Sequence, residues 1–149
     1  MNTTTSSETS DIRDTTHEIF DLAMWRADFG RLKAIVTGKR RMPTLASRLE
    51  GKVVRGQHSL GLHTVELKRI FGTESRIDDF DANFNPLHDR MRGRWESIAE
   101  VSLLERGLPA VELIQVGEEY FVRDGHHRIS VARALGWGFI DAQVTVMEV

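Results

Sequence analysis

Asp124-Gly125-His126-His127-Arg128 is the densest run of chemistry-bearing residues in the chain. A strand leads into it and a helix leaves it. The backbone N–H groups of His126, His127, Arg128 and Ile129 should therefore point out of a helix N-terminus, where orphan donors and the macrodipole favour an anion. Gly125 permits a positive φ and the close approach of a ligand. His126, His127 and Arg128 add side-chain donors, and Arg128 is able to hold a phosphate through two parallel N–H bonds. Phosphate is the anion this set suits. The same residues also have a plainer reading, with Asp124 as a helix N-cap and the two histidines as surface residues.

Other candidates are weaker. Asp78, Asp79 and Asp81 lie together in a polar loop, where they either bind magnesium through one or two carboxylates or face water as an acidic cluster. The chain has six histidines, but none stand at His-x3-His spacing, and adjacent His126 and His127 point about 100° apart on a helix. Histidine-only metal ligation is not indicated. The absence of cysteine excludes thiol nucleophiles, disulfide redox chemistry, iron–sulfur clusters and zinc–thiolate sites.

The elements that must position the turn follow from pattern. With 149 residues, 40% hydrophobic and 28% charged, the chain has the size and composition of one ordinary domain. Residues 1–16 are Ser/Thr/Asp/Glu-rich and are expected to be a disordered tail. From His17, the residues Ile19, Leu22, Ala23, Arg26, Phe29, Leu32 and Val36 recur at helical spacing, with Gly38 as a C-cap. Arg31, Lys33, Lys39, Arg40, Arg41, Arg48, Lys52 and Arg55 face only Glu50 in opposition. That stretch reads either as a footprint for phosphate backbones or as a solvated helix face and linker.

A short helix is predicted over Pro43–Leu49 and a strand over His63–Ile70. A polar loop should cover Phe71–Asp81, and a helix Arg90–Arg106 with Trp95, Ile98, Ala99, Ser102 and Leu103 on one face. Gly107 and Pro109 stop that helix. Val111–Val116 and Tyr120–Arg123 form a hairpin. A helix over Ile129–Leu135, capped by Gly136, and a strand over Ile140–Val146 complete the chain. Trp25, Trp95 and Trp137 read as packing residues, although the glycines flanking Trp137 leave its indole open to a base-stacking role.

The expected fold class is α+β, a mixed sheet with packed helices and an N-terminal helical extension. Its divisions are a tail at 1–16, a basic helical extension at 17–60 and the sheet domain at 61–149. No apolar run approaches the roughly 20 residues of a membrane span, and the N-terminus lacks a signal-peptide pattern, so a cytoplasmic location is expected.

Phe121 to Gly136, centred on the Asp-Gly-His-His-Arg turn, resembles the signature of the ParB/sulfiredoxin superfamily, whose ParB members carry Gly-Glu-Arg-Arg before a similar helix. Val65 to Arg76 is similar to the family's first strand and polar loop. Trp95 to Ile114 is similar to its helix, Gly-Leu-Pro-like turn and next strand. The resemblance spans Thr64 to Val146 and implies nucleotide binding with phosphates at the Gly-x-x-Arg turn.

The departures select among branches. Sulfiredoxins place a catalytic cysteine where this chain has His126, so reduction through that thiol is not expected. ParB proteins use CTP with magnesium and continue into a helix-turn-helix and a dimerisation domain. The sequence to Val149 contains neither, so DNA clamping of that kind is not expected of it. Free-serine kinases are similar in having a lone domain, an Asp-Gly-His-His-Arg turn and a glutamate after the first strand.

That branch implies Glu74 as general base and Asp124 orienting a metal or phosphate, with His126, His127 and Arg128 on the transferring phosphoryl group. Glu74 also reads as an ordinary surface acid, and Arg76 as the loop's nucleotide contact. The expectation is a stand-alone domain that takes a nucleoside di- or triphosphate with Mg2+, with kinase or triphosphatase activity left open. The alternative is a non-catalytic regulatory or DNA-associated module.

Overall fold

The computed structural model describes residues 4–37, 41–75 and 78–149. The chain runs through α1 (Thr4–Thr37), α2 (Leu45–Leu49), β1 (Gly56–Glu66), a 3-10 turn (Leu67–Arg69), β2 (Ile70–Thr73) and a second 3-10 turn (Asp89–Met91). It continues through α3 (Arg92–Leu103), β3 (Val111–Val116), β4 (Glu119–Asp124), α4 (His126–Ala134) and β5 (Phe139–Glu148). The five strands form one sheet in the order β1-β5-β3-β4-β2. β1 and β5 pair antiparallel, as do β3 and β4, while β3–β5 and β2–β4 are parallel. The fold is α+β with a mixed sheet, as the sequence predicts.

Alternate residues of a strand face opposite sides, and the central strands are apolar on both. Val111, Leu113, Val122, Ala142 and Val144 pack against Ile129 and Ala132 of α4 and against Phe80 and Phe84 of the loop before α3. On the other face Ile114, Val116 and Phe121 pack against Leu45 of α2. Thr44 caps α2, its side-chain oxygen accepting from the Ser47 N–H at 3.2 Å. A third cluster, Phe20, Ala23, Trp95, Ala99 and Val131, joins α1, α3 and α4. Within it the Trp95 indole N–H donates to Ser130 Oγ at 2.9 Å.

Several sequence expectations are corrected. Thr4 to Thr16 is helical rather than disordered. The hydroxyls of Ser10, Thr15 and Thr16 donate back to the carbonyls of Ser7, Asp11 and Arg13 at 2.8–2.9 Å, so they cap carbonyls of the helix itself instead of competing with it. Thr16 is buried, and Arg92 ties α3 to Asp21 of α1. β1 begins at Gly56, seven residues before the expected strand, and carries few buried side chains because it is the sheet's edge. The remainder of the expected strand breaks into a 3-10 turn and β2. α4 starts at His126, three residues before the apolar periodicity does.

The largest correction concerns α1. The apolar series that reads as its buried face is mostly exposed: Leu22, Phe29, Leu32 and Val36 all face outward, as does Trp25. Thr16, Phe20, Ala23 and Ala27 are the residues buried against the domain. The expected Gly38 cap lies outside the described residues.

Candidate functional site

β4 is flanked by β3 on one side and β2 on the other. Thr73 ends β2 opposite Val122, and the Glu74 N–H donates to the Val122 carbonyl at 2.9 Å. The segment leaving β2 is thereby laid alongside the last residues of β4. On its other side β2 meets the segment before α2, where the Thr73 N–H donates to the Pro43 carbonyl at 3.0 Å, and Gly72 is required there, since a Cβ would sit 2.1 Å from that oxygen.

Gly125 turns β4 into α4 with φ 103° and ψ 25°. Its carbonyl accepts from the Ile129 N–H at 3.0 Å, which closes the first helical turn. Ile129 is thus satisfied within the helix, and the N–H groups of His126, His127 and Arg128 precede it in the first turn. A Cβ on residue 125 would lie 2.5 Å from Val111 Cγ1, so both the dihedral and the wall demand glycine.

The two histidines separate in role. His126 is buried, its Nε2 sharing a 2.6 Å hydrogen bond with Thr73 Oγ1. Phe80 stacks on it at 6.1 Å between ring centroids and meets His127 edge-on at 5.2 Å. His126 belongs to the floor of the turn, while His127 is only half-buried and flanks the helix end.

Arg128 is largely enclosed. Its Nη1 donates to the carbonyls of Pro109 and Ala110, and its Nη2 to Asp124 Oδ2 at 2.9 Å. It therefore braces the turn before β3 against the start of α4. Asp124 is exposed. Arg128 also lines a cavity of about 390 Å³ together with Arg106, Pro109, Ala110, Trp137 and Phe139.

Glu74 lies one strand away from this turn, with Arg123 donating to both of its oxygens at 3.2 and 3.4 Å. Arg76 lies outside the described residues. The three aspartates of the next loop serve the loop itself. His88 bonds the Asp78 carbonyl at 2.9 Å and Arg90 bonds Asp79 at 2.8 Å. Asp81 accepts from the backbone of Asn83 and Asn85. Among the described residues no three His, Asp or Glu side chains gather to hold a metal ion.

Behind the helix Arg133 donates to the Leu67 and Ile70 carbonyls at 2.8 and 2.9 Å. Burial pushes its pKa down, and the charge of Asp81 opposes that. The basic stretch is spread over three parts of the chain. Arg31 bonds the Leu87 carbonyl on the α1 side, Arg48 pairs with Glu119 from α2, and Lys52 and Arg55 lie exposed before β1. Lys39 and Arg40 lie outside the described residues.

Sequence reading missed Thr73 and Phe80. Phe80 carried a signal: it is an apolar residue held between acids in an otherwise polar loop.

No protein-family model matches the chain, and no curated protein does. Sulfiredoxin from Arabidopsis thaliana is a solved structure to which it is similar. The two are 17% identical over 56% of this chain and 82% of that one, with a TM-score of 0.37. A likeness of that size says nothing about chemistry, and the functional reading rests on the residues of the turn. No described helix is long and apolar enough to cross a membrane.

Proposed function

We propose that this chain binds a nucleoside di- or triphosphate, with its phosphates against the first turn of α4 and its nucleoside in the cavity beside Arg128. The observation that carries the reading is the Gly125 junction. A left-handed residue starts a nine-residue helix whose first N–H groups stand between half-buried His127 and exposed Asp124. A helix N-terminus with an imidazole at its second residue suits phosphate oxygens.

Arg128 acts chiefly by fixing the turn, since its guanidinium is already bonded to two carbonyls and to Asp124. Magnesium fits this site in one way. Asp124 supplies a single carboxylate, and the nucleotide's phosphates and water would complete the shell, as is common for this ion. When bound, the ion would neutralise phosphate charge. The two oxygens of Glu74 already accept from Arg123, so its use as a general base would first require that pair to open. Binding is accordingly the function proposed.

The test is a thermal-shift series with ATP, ADP, CTP, GTP and inorganic triphosphate, each with and without magnesium, on wild type and His127→Ala. His127 is chosen because it lies half-buried beside the helix end, whereas Arg128 braces the turn before β3. Stabilisation by at least one nucleotide that is reduced in His127→Ala is expected. No shift with any of them would overturn the reading.

A further inference from the structure

We infer that α1 pairs in parallel with α1 of a second copy of this chain, forming a two-stranded coiled coil along its outward face. The helix is 34 residues long. Leu22, Trp25, Phe29, Leu32 and Val36 recur at alternating spacings of three and four, and they are 46%, 60%, 56%, 64% and 86% exposed. That is the a/d pattern of a heptad seam. It runs about 21 Å along the helix at 1.5 Å per residue.

A single amphipathic helix needs one apolar stripe. At 100° per residue this seam lies about 180° from Phe20, Ala23 and Ala27, which already fasten α1 to the domain. The outward stripe is thus a second one, and at its edge Trp25 and Phe29 border an open groove whose other wall is Leu67, Lys68 and Trp137. Trp25 and Phe29 stack on it at 5.6 Å, so its apolar residues are contiguous. A continuous apolar patch of this kind on a soluble surface marks an interaction site.

The flanking charges identify the occupant. With Leu22, Phe29 and Val36 at a, positions g are Asp21, Asp28 and the apolar Ile35, and positions e are Arg26 and Lys33. In a parallel pair each g residue faces the e residue five positions later on the other helix. Asp21 then meets Arg26 of the second copy, and Asp28 meets its Lys33. In an antiparallel pair g faces g and e faces e, which sets acid against acid and base against base. Self-complementarity at both pairs favours a second copy of this chain over an unrelated helix. Asp21 also bonds Arg92 of its own chain, and Asp28 lies 3.5 Å from its own Arg31; exposed ion pairs of this kind exchange partners at little cost, and the Asp28 and Lys33 charges are the ones the test swaps.

The experiment uses the full chain. Light scattering is expected to give twice the 16.9 kDa chain mass, and Phe29→Glu, at an exposed position, to give a single chain with unchanged helical circular dichroism. Asp28→Lys should weaken association roughly five- to tenfold, and adding Lys33→Asp should restore it. The chain has no cysteine, so Leu22→Cys gives one reporter near the end of the seam. It should cross-link to itself under mild oxidation. A monomeric wild type overturns the inference, and so does a dimer indifferent to Phe29→Glu. A dimer that cross-links only in the Leu22→Cys/Leu32→Cys double variant would be antiparallel and would overturn it too, because an a position faces a d position in that arrangement. A monomer that binds lipid vesicles through this face would replace the second copy with a membrane surface.

Discussion

Thr73 Oγ1 and His126 Nε2 share a 2.6 Å hydrogen bond, and through it the end of β2 is tied to the first residue of α4. Both side chains are buried. Replacing the hydroxyl with a methyl of similar shape removes the partner of a buried ring nitrogen, at a cost of about 1–3 kcal/mol. Thr73→Val is therefore expected to lower Tm by roughly 3–9 °C. Thr73→Ser, which keeps the hydroxyl, should lose much less. Thermal unfolding checks this, and a Thr73→Val protein that melts with wild type would remove the bond from the account of the turn.

Gly125 is constrained twice, by its φ of 103° and by Val111. Gly125→Ala should cost about 2–4 kcal/mol through the combined strain and overpacking. Gly125→Asn separates the causes, because asparagine tolerates the left-handed region better but meets the same wall. Equal losses in urea midpoint for the two variants would assign the constraint to Val111. A clear advantage for asparagine would assign it to the dihedral.

The junction itself was legible because its signals are local. Asp-Gly after a short continuous apolar run (Tyr120 to Val122) and before a helical one specifies a tight strand-to-helix turn without reference to the rest of the fold. The orientation of α1 was not legible. Two stripes on that helix both satisfy helical periodicity, and the larger side chains, Leu22, Phe29 and Leu32, read more strongly as core than Ala23 and Ala27 do. Small residues win the domain-facing side because they let α1 come close to α3, where Phe20 meets Trp95 edge-on at 5.4 Å. β1 was truncated for a related reason: at the sheet edge Leu60 and Leu62 remain exposed, so no buried face marks its start. The burial of His126 was invisible because it depends on Phe80, a residue 46 positions earlier that only tertiary folding brings near.

The α1–α3 contact should respond to acid. Arg92 donates to Asp21, Asp89 and Glu96 and lies 4.5 Å from the Phe20 ring centroid. Its hydrogen bond holds the Asp21 carboxyl below the ordinary value of 3.8, partly opposed by desolvation. A group depressed in the folded state contributes stability above its unfolded pKa and loses it as pH falls through the folded one. The Tm difference between wild type and Asp21→Asn should therefore be constant from about pH 5 to 7 and shrink below about pH 4. A difference that persists at pH 2–3 would mean that the substitution acts through packing and not through the charge. Raised salt should reduce the neutral-pH difference, since Asp21 is exposed.

Trp137 separates the two halves of the proposed ligand. It is half-exposed beside the cavity that Arg128 lines, whereas the proposed phosphate contacts are at the first turn of α4. If the nucleoside occupies that cavity, Trp137→Ala removes an aromatic platform for the base, worth about 1–3 kcal/mol, or roughly a fivefold to hundredfold loss in affinity. Inorganic triphosphate has no base and should bind the variant as it binds wild type, while His127→Ala should weaken both ligands. Calorimetric titration of the two ligands against the two variants distinguishes the contributions. A Trp137→Ala chain that loses nucleotide and triphosphate equally would show that the indole supports the turn instead of the base. One that loses neither would place the nucleoside outside this cavity.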